Sequence, residues 1–414
     1  MIIDSQKYNG ACSCGREHAM ETQFCIVESG CLLSIEKYLA EYGIGGYTVA
    51  VYDENTYRAT EGRHPKADKE VILDPTDLHA NEHGVALLSE RLPKEAELLL
   101  AVGSGTIHDI TRYCAYERGI DFVSCPTAAS VDGFCSSVAA MTWHGCKKTL
   151  TAVSPKLVIA DTDIIKAAPA RLTRSGFGDM IGKYIALTDW KIANILTGEF
   201  YCDRIAKMTL DATEAVVASL QGIIDGESDA YEKLIYGLLL SGLAMQMMTT
   251  SRPASGAEHH ISHMIEMAPP CLHSTSDALH GEKVGVGTLI ALSEYKRLAK
   301  IEDATFEDYA PYSDETIREL FGDGMSDEIL GENKKNAASG VTAARLAECW
   351  EGIRAEIDKL PDPASLEQMY ASLEVKSTLS DIDACEEDRD TLIKYSNLVR
   401  NRLTLMRLRQ CIIK

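Results

Sequence analysis

A chain of 414 residues exceeds what one small core organises and fits two domains, with room for a large helical half. Its 41 basic and 62 acidic side chains leave a net charge of −21, which argues against nucleic acid as a main partner while leaving room for a local positive pocket. No apolar run reaches membrane-spanning length, and the opening M-I-I-D-S-Q-K-Y-N-G lacks a basic region followed by an apolar core, so neither membrane insertion nor secretion is expected.

Residues 1–22 read as an irregular leader. F-C-I-V-E-S at 24–29 reads as a short strand, and C-L-L-S-I-E-K-Y-L-A-E-Y at 31–42 has helical spacing. Y-T-V-A-V-Y-D at 47–53 and V-I-L at 71–73 read as strands, and E-L-L-L-A-V at 97–102 as another that runs into a glycine loop. A helix over 107–118 and strands at 121–126 and 157–161 follow. Strands alternating with helices imply a mostly parallel sheet covered on both faces. After about residue 165 the periodicity becomes helical, over 178–197, 208–224, 231–250, 278–297 and most of 305–414. The expected fold class is therefore α/β followed by an all-helical part, with domains at 1–165 and 166–414.

Thirteen cysteines, scattered and odd in number, imply reduced thiols in the cytoplasm. Cys12 and Cys14 form a C-x-C, with Cys25 and Cys31 further on. Zinc and iron–sulfur sites usually show C-x2-C pairs, so these read better as small buried residues.

Gly103 and Gly105, in A-V-G-S-G-T-I-H-D, lie between an apolar strand and a helix. Glycine lets a phosphate approach the backbone, and the free amides of the helix start face the anion. The pattern is G-x-G-x-x-x-D at about the fourth strand, not the G-x-G-x-x-G first turn of an ordinary dinucleotide fold. Asp53, ending its strand, either bonds the adenosine ribose hydroxyls, which favours NAD over NADP, or simply begins the turn D-E-N-T. Thr127 and Ser130 either bond the cofactor or cap a helix.

Asp179, His259 and His280 sit in three runs that mix glycine with helix formers: S-G-F-G-D-M-I-G-K, S-G-A-E-H-H-I-S-H and L-H-G-E-K-V-G-V-G. One carboxylate and two imidazoles suit a borderline divalent metal in a catalytic site with an open position. Lys183, four residues after Asp179, pairs with or supports it. His259 and His263 share a helix face, and His260 points elsewhere. A nucleotide site followed by a metal site points to an oxidoreductase.

The runs G-S-G-T-I-H-D, P-T-A-A-S-V-D-G-F, V-I-A-D-T-D-I-I, S-G-F-G-D-M-I-G-K, S-R-P-A-S-G-A-E-H-H-I-S-H and H-G-E-K-V-G-V-G occur in an order that resembles the sn-glycerol-1-phosphate dehydrogenases, over roughly residues 20–300 and more loosely in the tail. That family belongs with glycerol dehydrogenase and the iron-containing alcohol dehydrogenases, and dehydroquinate synthase is a fold relative. The run S-R-P-A-S-G-A-E-H favours the glycerol-1-phosphate branch, and C-S-C-G-R-E-H is similar to bacterial members. The resemblance implies a nucleotide-binding α/β domain, a helical domain, and one divalent metal held by Asp179, His259 and His280, with zinc foremost and nickel or iron compatible. It implies NAD or NADP at Gly103, Ser104, Gly105, Thr106 and Asp109, with Asp53, Thr127 and Ser130 beside it. Asp132 would bond the substrate hydroxyls, and His263 would stand on the substrate side. The implied reaction is reduction of dihydroxyacetone phosphate to sn-glycerol 1-phosphate and its reverse; the rival is a polyol dehydrogenase with no phosphate requirement. For the phosphate, His144, Lys147, Lys148 and Arg252 are the candidates. The expected partners are this small phosphorylated substrate and further copies of the chain, as a homodimer or larger homo-oligomer.

Overall fold

The computed structural model describes residues 1–413. By compactness the chain divides into two units: Met1–Met180 with Asp211–Thr250, and Ile181–Leu210 with Ser251–Lys414.

The first unit is built on a seven-stranded sheet. Its strands are β1 (Ile2–Asp4), β2 (Phe24–Glu28), β3 (Thr48–Asp53), β4 (Lys69–Leu73), β5 (Leu98–Gly103), β6 (Asp121–Pro126) and β7 (Leu157–Asp161), in the order β1-β2-β7-β6-β5-β3-β4. All neighbours are parallel except β1, which runs antiparallel to β2 with Ile3 opposite Cys25. The expected α/β sheet is therefore present, and the leader expected to be irregular supplies its edge strand. Three residues are too few for alternation to reveal a strand.

The central strands are continuous apolar runs because both faces are covered. Ala50, Tyr52, Leu98, Leu100, Val123 and Ile159 pack on one face. Val49, Val51, Leu99, Ala101 and Phe122 pack on the other, against Ile107 and Ile110 of the helix Gly105–Arg118. After β3 the chain moves outward to β4, then returns to place β5 on the opposite side of β3. That reversal is the switch point where open parallel sheets bind ligands, beyond the carboxyl ends of the strands. Asp53 ends one flanking strand and Gly103 the other.

A hairpin, Val138–Trp143 with Cys146–Thr151, was not expected. Its two-residue turn has positive φ at His144 (51°) and Gly145 (75°), the twist that suits tight hairpins. The alternation in V-A-A-M-T-W, with Ala139 and Met141 buried, carried this signal.

The helix expected at 178–197 runs from Ala170 to Thr197. Its glycines resemble a loop signal but serve packing: a Cβ on Gly176 would lie 2.0 Å from the Ala129 carbonyl oxygen. The helix Ser228–Met248 belongs to the first unit, and Gly242 there lies against Asp132 and Cys135. The second unit is largely helical, with Ala257–Met267, His280–Ala299, Asp314–Asn333, Ala343–Asp358 and Pro363–Leu373, plus one pair of two-residue strands, Thr305–Phe306 and Ile412–Ile413. Among the described residues no helix is long and apolar enough to cross a membrane.

Candidate active site

The glycine loop follows β5, the fourth parallel strand in chain order. Gly103 is required by contact: a Cβ there would lie 2.6 Å from Cβ of Ile107, one turn into the following helix. Ser104 is the N-cap residue of Gly105–Arg118, and its hydroxyl makes no capping bond, so the first amides of this helix are not satisfied by their own cap. Ser104, Gly105, Thr106 and Asp109 are half-buried. Asp109 pairs with the fully buried Arg112 at 3.3 Å. The Thr127 N–H donates to the Gly103 carbonyl (3.0 Å), which fastens the segment after β6 to the end of β5. Thr127 and Ser130 are both buried.

One turn into the same helix, His108 is buried with Nδ1 on the Ser104 carbonyl and Nε2 on the Ser124 hydroxyl. Burial drives its pKa down to about 3, partly opposed by the Ser104 carbonyl. Asp53 caps the helix Glu54–Ala59: its Oδ1 accepts from the Thr56 N–H (2.8 Å), and the Thr56 hydroxyl completes a capping box. One carboxylate oxygen is thereby committed to the turn.

Asp179, His259 and His280 each offer one ligand atom, and these atoms lie within 4.8 Å of one another. Asp179 is fully buried and its Oδ2 accepts from the Asp132 N–H (3.0 Å). His259 and His280 stand on the helices Ala257–Met267 and His280–Ala299. Those helices approach closely because Gly287 faces Glu258: a Cβ there would lie 2.5 Å from the Glu258 carbonyl oxygen. Asp189 anchors the start of the first of them, accepting from the Ala257 N–H (2.9 Å), the Tyr295 hydroxyl (2.7 Å) and the Leu405 N–H (2.8 Å).

Both imidazoles are oriented by glutamates. Nδ1 of His259 lies 2.7 Å from Glu258 Oε1, and Nδ1 of His280 lies 2.8 Å from Glu266 Oε1. Glu258 Oε1 also accepts from the Gly256 N–H (2.8 Å), so it serves as an acceptor; with both glutamate oxygens accepting, each Nδ1 carries the proton and each Nε2 keeps its lone pair. This is the arrangement a metal-binding histidine needs, and the three side chains fit a divalent cation. Burial pushes Glu258 up to about 7, opposed by the Gly256 N–H, its own N–H, Lys183 and Arg402. Neither glutamate stood out in the sequence; the adjacent E-H pair and the S-H-M-I-E spacing were the only signals.

His263 completes a triangle of rings, with its centroid 6.0 Å from His259 and 6.1 Å from His280. Its Nδ1 has no hydrogen-bond partner, and burial followed by the Arg400 charge holds its pKa well below the usual value. His260 is fully buried, and neither of its ring nitrogens has a hydrogen-bond partner among the described residues. Lys183 is fully buried, and its Nζ donates to the Ala254 carbonyl (3.1 Å). Asp132 is buried, and its Oδ2 accepts from the Ser241 hydroxyl (2.8 Å), a contact that sequence reasoning missed.

The basic candidates for a phosphate fare differently. His144 sits exposed at the hairpin turn, with its backbone N–H on Glu82. Lys147 and Lys148 are half-buried on the second hairpin strand. Arg252 is buried but grips Glu199 through Nε (2.7 Å) and one Nη (3.0 Å), and that same Nη also donates to the Leu403 carbonyl. Arg400, whose charge bears on His263 and Glu266, was not singled out in the sequence.

A family model described as iron-containing alcohol dehydrogenase matches residues 26–169. The chain is 37% identical over 309 residues to glycerol-1-phosphate dehydrogenase (NAD(P)+) of Bacillus licheniformis, covering 72% of this chain and 77% of that protein. It is 30% identical to the protein of the same name from Halalkalibacterium halodurans, covering 98% of this chain and 97% of the relative. Its fold is similar to that of a probable glycerol dehydrogenase from Sinorhizobium meliloti, with a TM-score of 0.61, 18% identity, and coverage of 92% and 89% of the two chains.

Proposed function

Because the chain belongs to the glycerol-1-phosphate dehydrogenase family, we propose that it catalyses the metal-dependent, NAD(P)H-linked reduction of dihydroxyacetone phosphate to sn-glycerol 1-phosphate and the reverse oxidation. The observation that carries this reading is the gathering of Asp179, His259 and His280, with both imidazoles turned by glutamates so that Nε2 is presented. When bound there, a divalent cation supplies Lewis acidity toward a ketone or alkoxide oxygen, and the nicotinamide supplies or accepts hydride. Zinc is the first candidate from this ligand set, ahead of nickel and iron.

Residues 1–165 bind the dinucleotide and 166–414 carry most of the metal and substrate groups. Gly103, Ser104, Gly105, Thr106 and Asp109 form the loop that receives the pyrophosphate, with the first amides of Gly105–Arg118 facing the anion. Thr127, Ser130 and Asp53 lie alongside it. Asp132 bonds the substrate hydroxyls, with Ser241 fixing its carboxylate. His263, neutral at physiological pH, relays a proton between the substrate oxygen and water, taking one up on one ring nitrogen as it gives one from the other. Arg400, whose charge bears on His263, is the basic residue best matched to the phosphate. The enzyme works in the cytoplasm on this small phosphorylated substrate, as a homodimer or larger homo-oligomer.

The test is NADH and NADPH oxidation by metal-analysed protein, with dihydroxyacetone phosphate and dihydroxyacetone compared and product chirality determined. The expected result is turnover of the phosphate ester to the sn-1 product. Arg400→Met is expected to raise KM for the ester about tenfold or more, the loss of one charged hydrogen bond, with a smaller effect on dihydroxyacetone. Turnover of the unphosphorylated ketone alone would place the protein with the polyol dehydrogenases.

A further inference from the structure

A second group of metal-ligand side chains lies apart from the candidate active site, and we propose that it binds a structural zinc ion. The group is Cys12, Cys14, His18 and Cys202, whose ligand atoms all lie within 4.8 Å of one another. Three of the four come from one small hairpin, Gly10–Ala11 paired with Glu17–His18. Its turn is closed by the Cys12 N–H to the Arg16 carbonyl (3.0 Å) and the Gly15 N–H to the Cys12 carbonyl (3.0 Å), with Gly15 at φ 84°. The single residue between the cysteines therefore sits in a tight turn, and the return strand brings His18 back to them. This reverses the reading of Cys12 and Cys14 as ordinary buried residues: both are half-exposed, and both sulfurs lie within 4.8 Å of the other ligand atoms.

His18 carries the strongest signal. It is buried, and its Nδ1 lies 2.9 Å from the Met247 carbonyl oxygen. A carbonyl only accepts, so Nδ1 holds the proton and Nε2 presents its lone pair, 3.3 Å from Cys14 Sγ. That is the second contact a zinc-bound histidine makes. Zinc at its usual lengths of about 2.3 Å to sulfur and about 2.0 Å to nitrogen holds neighbouring ligands roughly 3.5–3.8 Å apart, so the spacing suits one tetrahedral ion. Cys202 lies where its carbonyl accepts the first bond of the helix Asp203–Ala218, from the Ala206 N–H (3.0 Å). A helix start favours the thiolate, the form that binds metal. Three thiolates and one imidazole leave no open position, so the ion holds the hairpin in place and takes no part in hydride transfer.

The test loads the full-length protein with cobalt(II) in place of zinc and records thiolate-to-cobalt charge-transfer absorption, in wild type and in Asp179→Asn. Asp179→Asn removes a ligand from the other site, and that site has no sulfur to give such a band. The absorption is expected in both proteins and is expected to vanish in the double variant Cys12→Ser/Cys14→Ser. If that variant does not fold, Cys202→Ser serves: the band is expected to fall by about a third, one of three thiolates. Zinc analysis of the unsubstituted protein should find one ion per chain that is released by a mercurial thiol reagent. Absence of the cobalt band from wild type, or a band untouched by Cys202→Ser, overturns the proposal. So does a thiol titration of the denatured, metal-free chain that finds a disulfide instead of all 13 thiols.

Discussion

Glu266 and Glu258 illustrate how a candidate metal centre depends on residues that touch no metal. Each fixes the ring of a proposed ligand through Nδ1. Glu266→Gln keeps the size and removes the charge, so metal affinity or activity is expected to fall about 10- to 100-fold. Metal titration beside steady-state kinetics measures this, and an unchanged affinity would remove Glu266 from the site. His108 gives a residue-scale prediction for stability. Its folded pKa of about 3 lies below the ordinary 6.5, so the unfolded chain takes up the proton first as the pH falls. The stabilisation is complete above pH 6.5 and is lost progressively toward pH 3, with a slope of up to about 1.4 kcal/mol per pH unit. In His108→Gln the melting temperature should fall less steeply between pH 6.5 and 4 than in wild type; an identical slope would contradict the assignment.

At the scale of elements, glycines set how closely segments approach. Gly287→Ala would drive a methyl into the Glu258 carbonyl and push the helices of His259 and His280 apart. Overpacking of this kind costs about 1–3 kcal/mol, so the melting temperature is expected to fall by several degrees and metal affinity with it. Thermal melts with and without added metal test this, and a variant matching wild type in both would show that the contact relaxes freely. The element boundaries show where sequence patterns mislead. Gly176 resembles a loop signal just ahead of the helix expected from residue 178, yet the helix begins at Ala170, because Gly176 is dictated by the nearby Ala129 carbonyl rather than by a turn. The hairpin at 138–151 has the opposite character: its turn, His144-Gly145, is local and tight, but the strand C-K-K-T-L-T lacks the strict apolar–polar alternation that marks a strand.

Across the whole molecule, metal binding should appear as stability. A ligand that binds only the folded state at a hundred times its Kd adds about 2.7 kcal/mol. Stripping both ions with EDTA is expected to lower the melting temperature by several degrees, restored by zinc, and to lower it less in Asp179→Asn, which has only the ion at Cys12, Cys14, His18 and Cys202 to lose. An equal loss in the two proteins would mean that Asp179, His259 and His280 hold no metal under those conditions. The net charge of −21 sharpens the phosphate question, since an anionic substrate must meet local positive charge on an acidic protein. Arg400, from the tail of the chain, is a cation whose charge bears on His263.

The α/β class and the glycine loop after the fourth parallel strand were legible in the residues alone, and Asp179, His259 and His280 stood out as proposed ligands whose side chains the fold brings together. These rest on local rules: apolar runs for buried strands, glycine where a strand meets a helix, and ligand types in glycine-rich runs. Which residues meet followed from the three-dimensional packing. Asp132 reaches Asp179 through its backbone N–H, Ser241 reaches Asp132, and His18 meets Cys14 with its other nitrogen held by Met247. Those partners are separated by up to 229 residues, and no local periodicity encodes such contacts. They are set by the packing of whole elements, where one glycine facing a carbonyl determines how near two segments come.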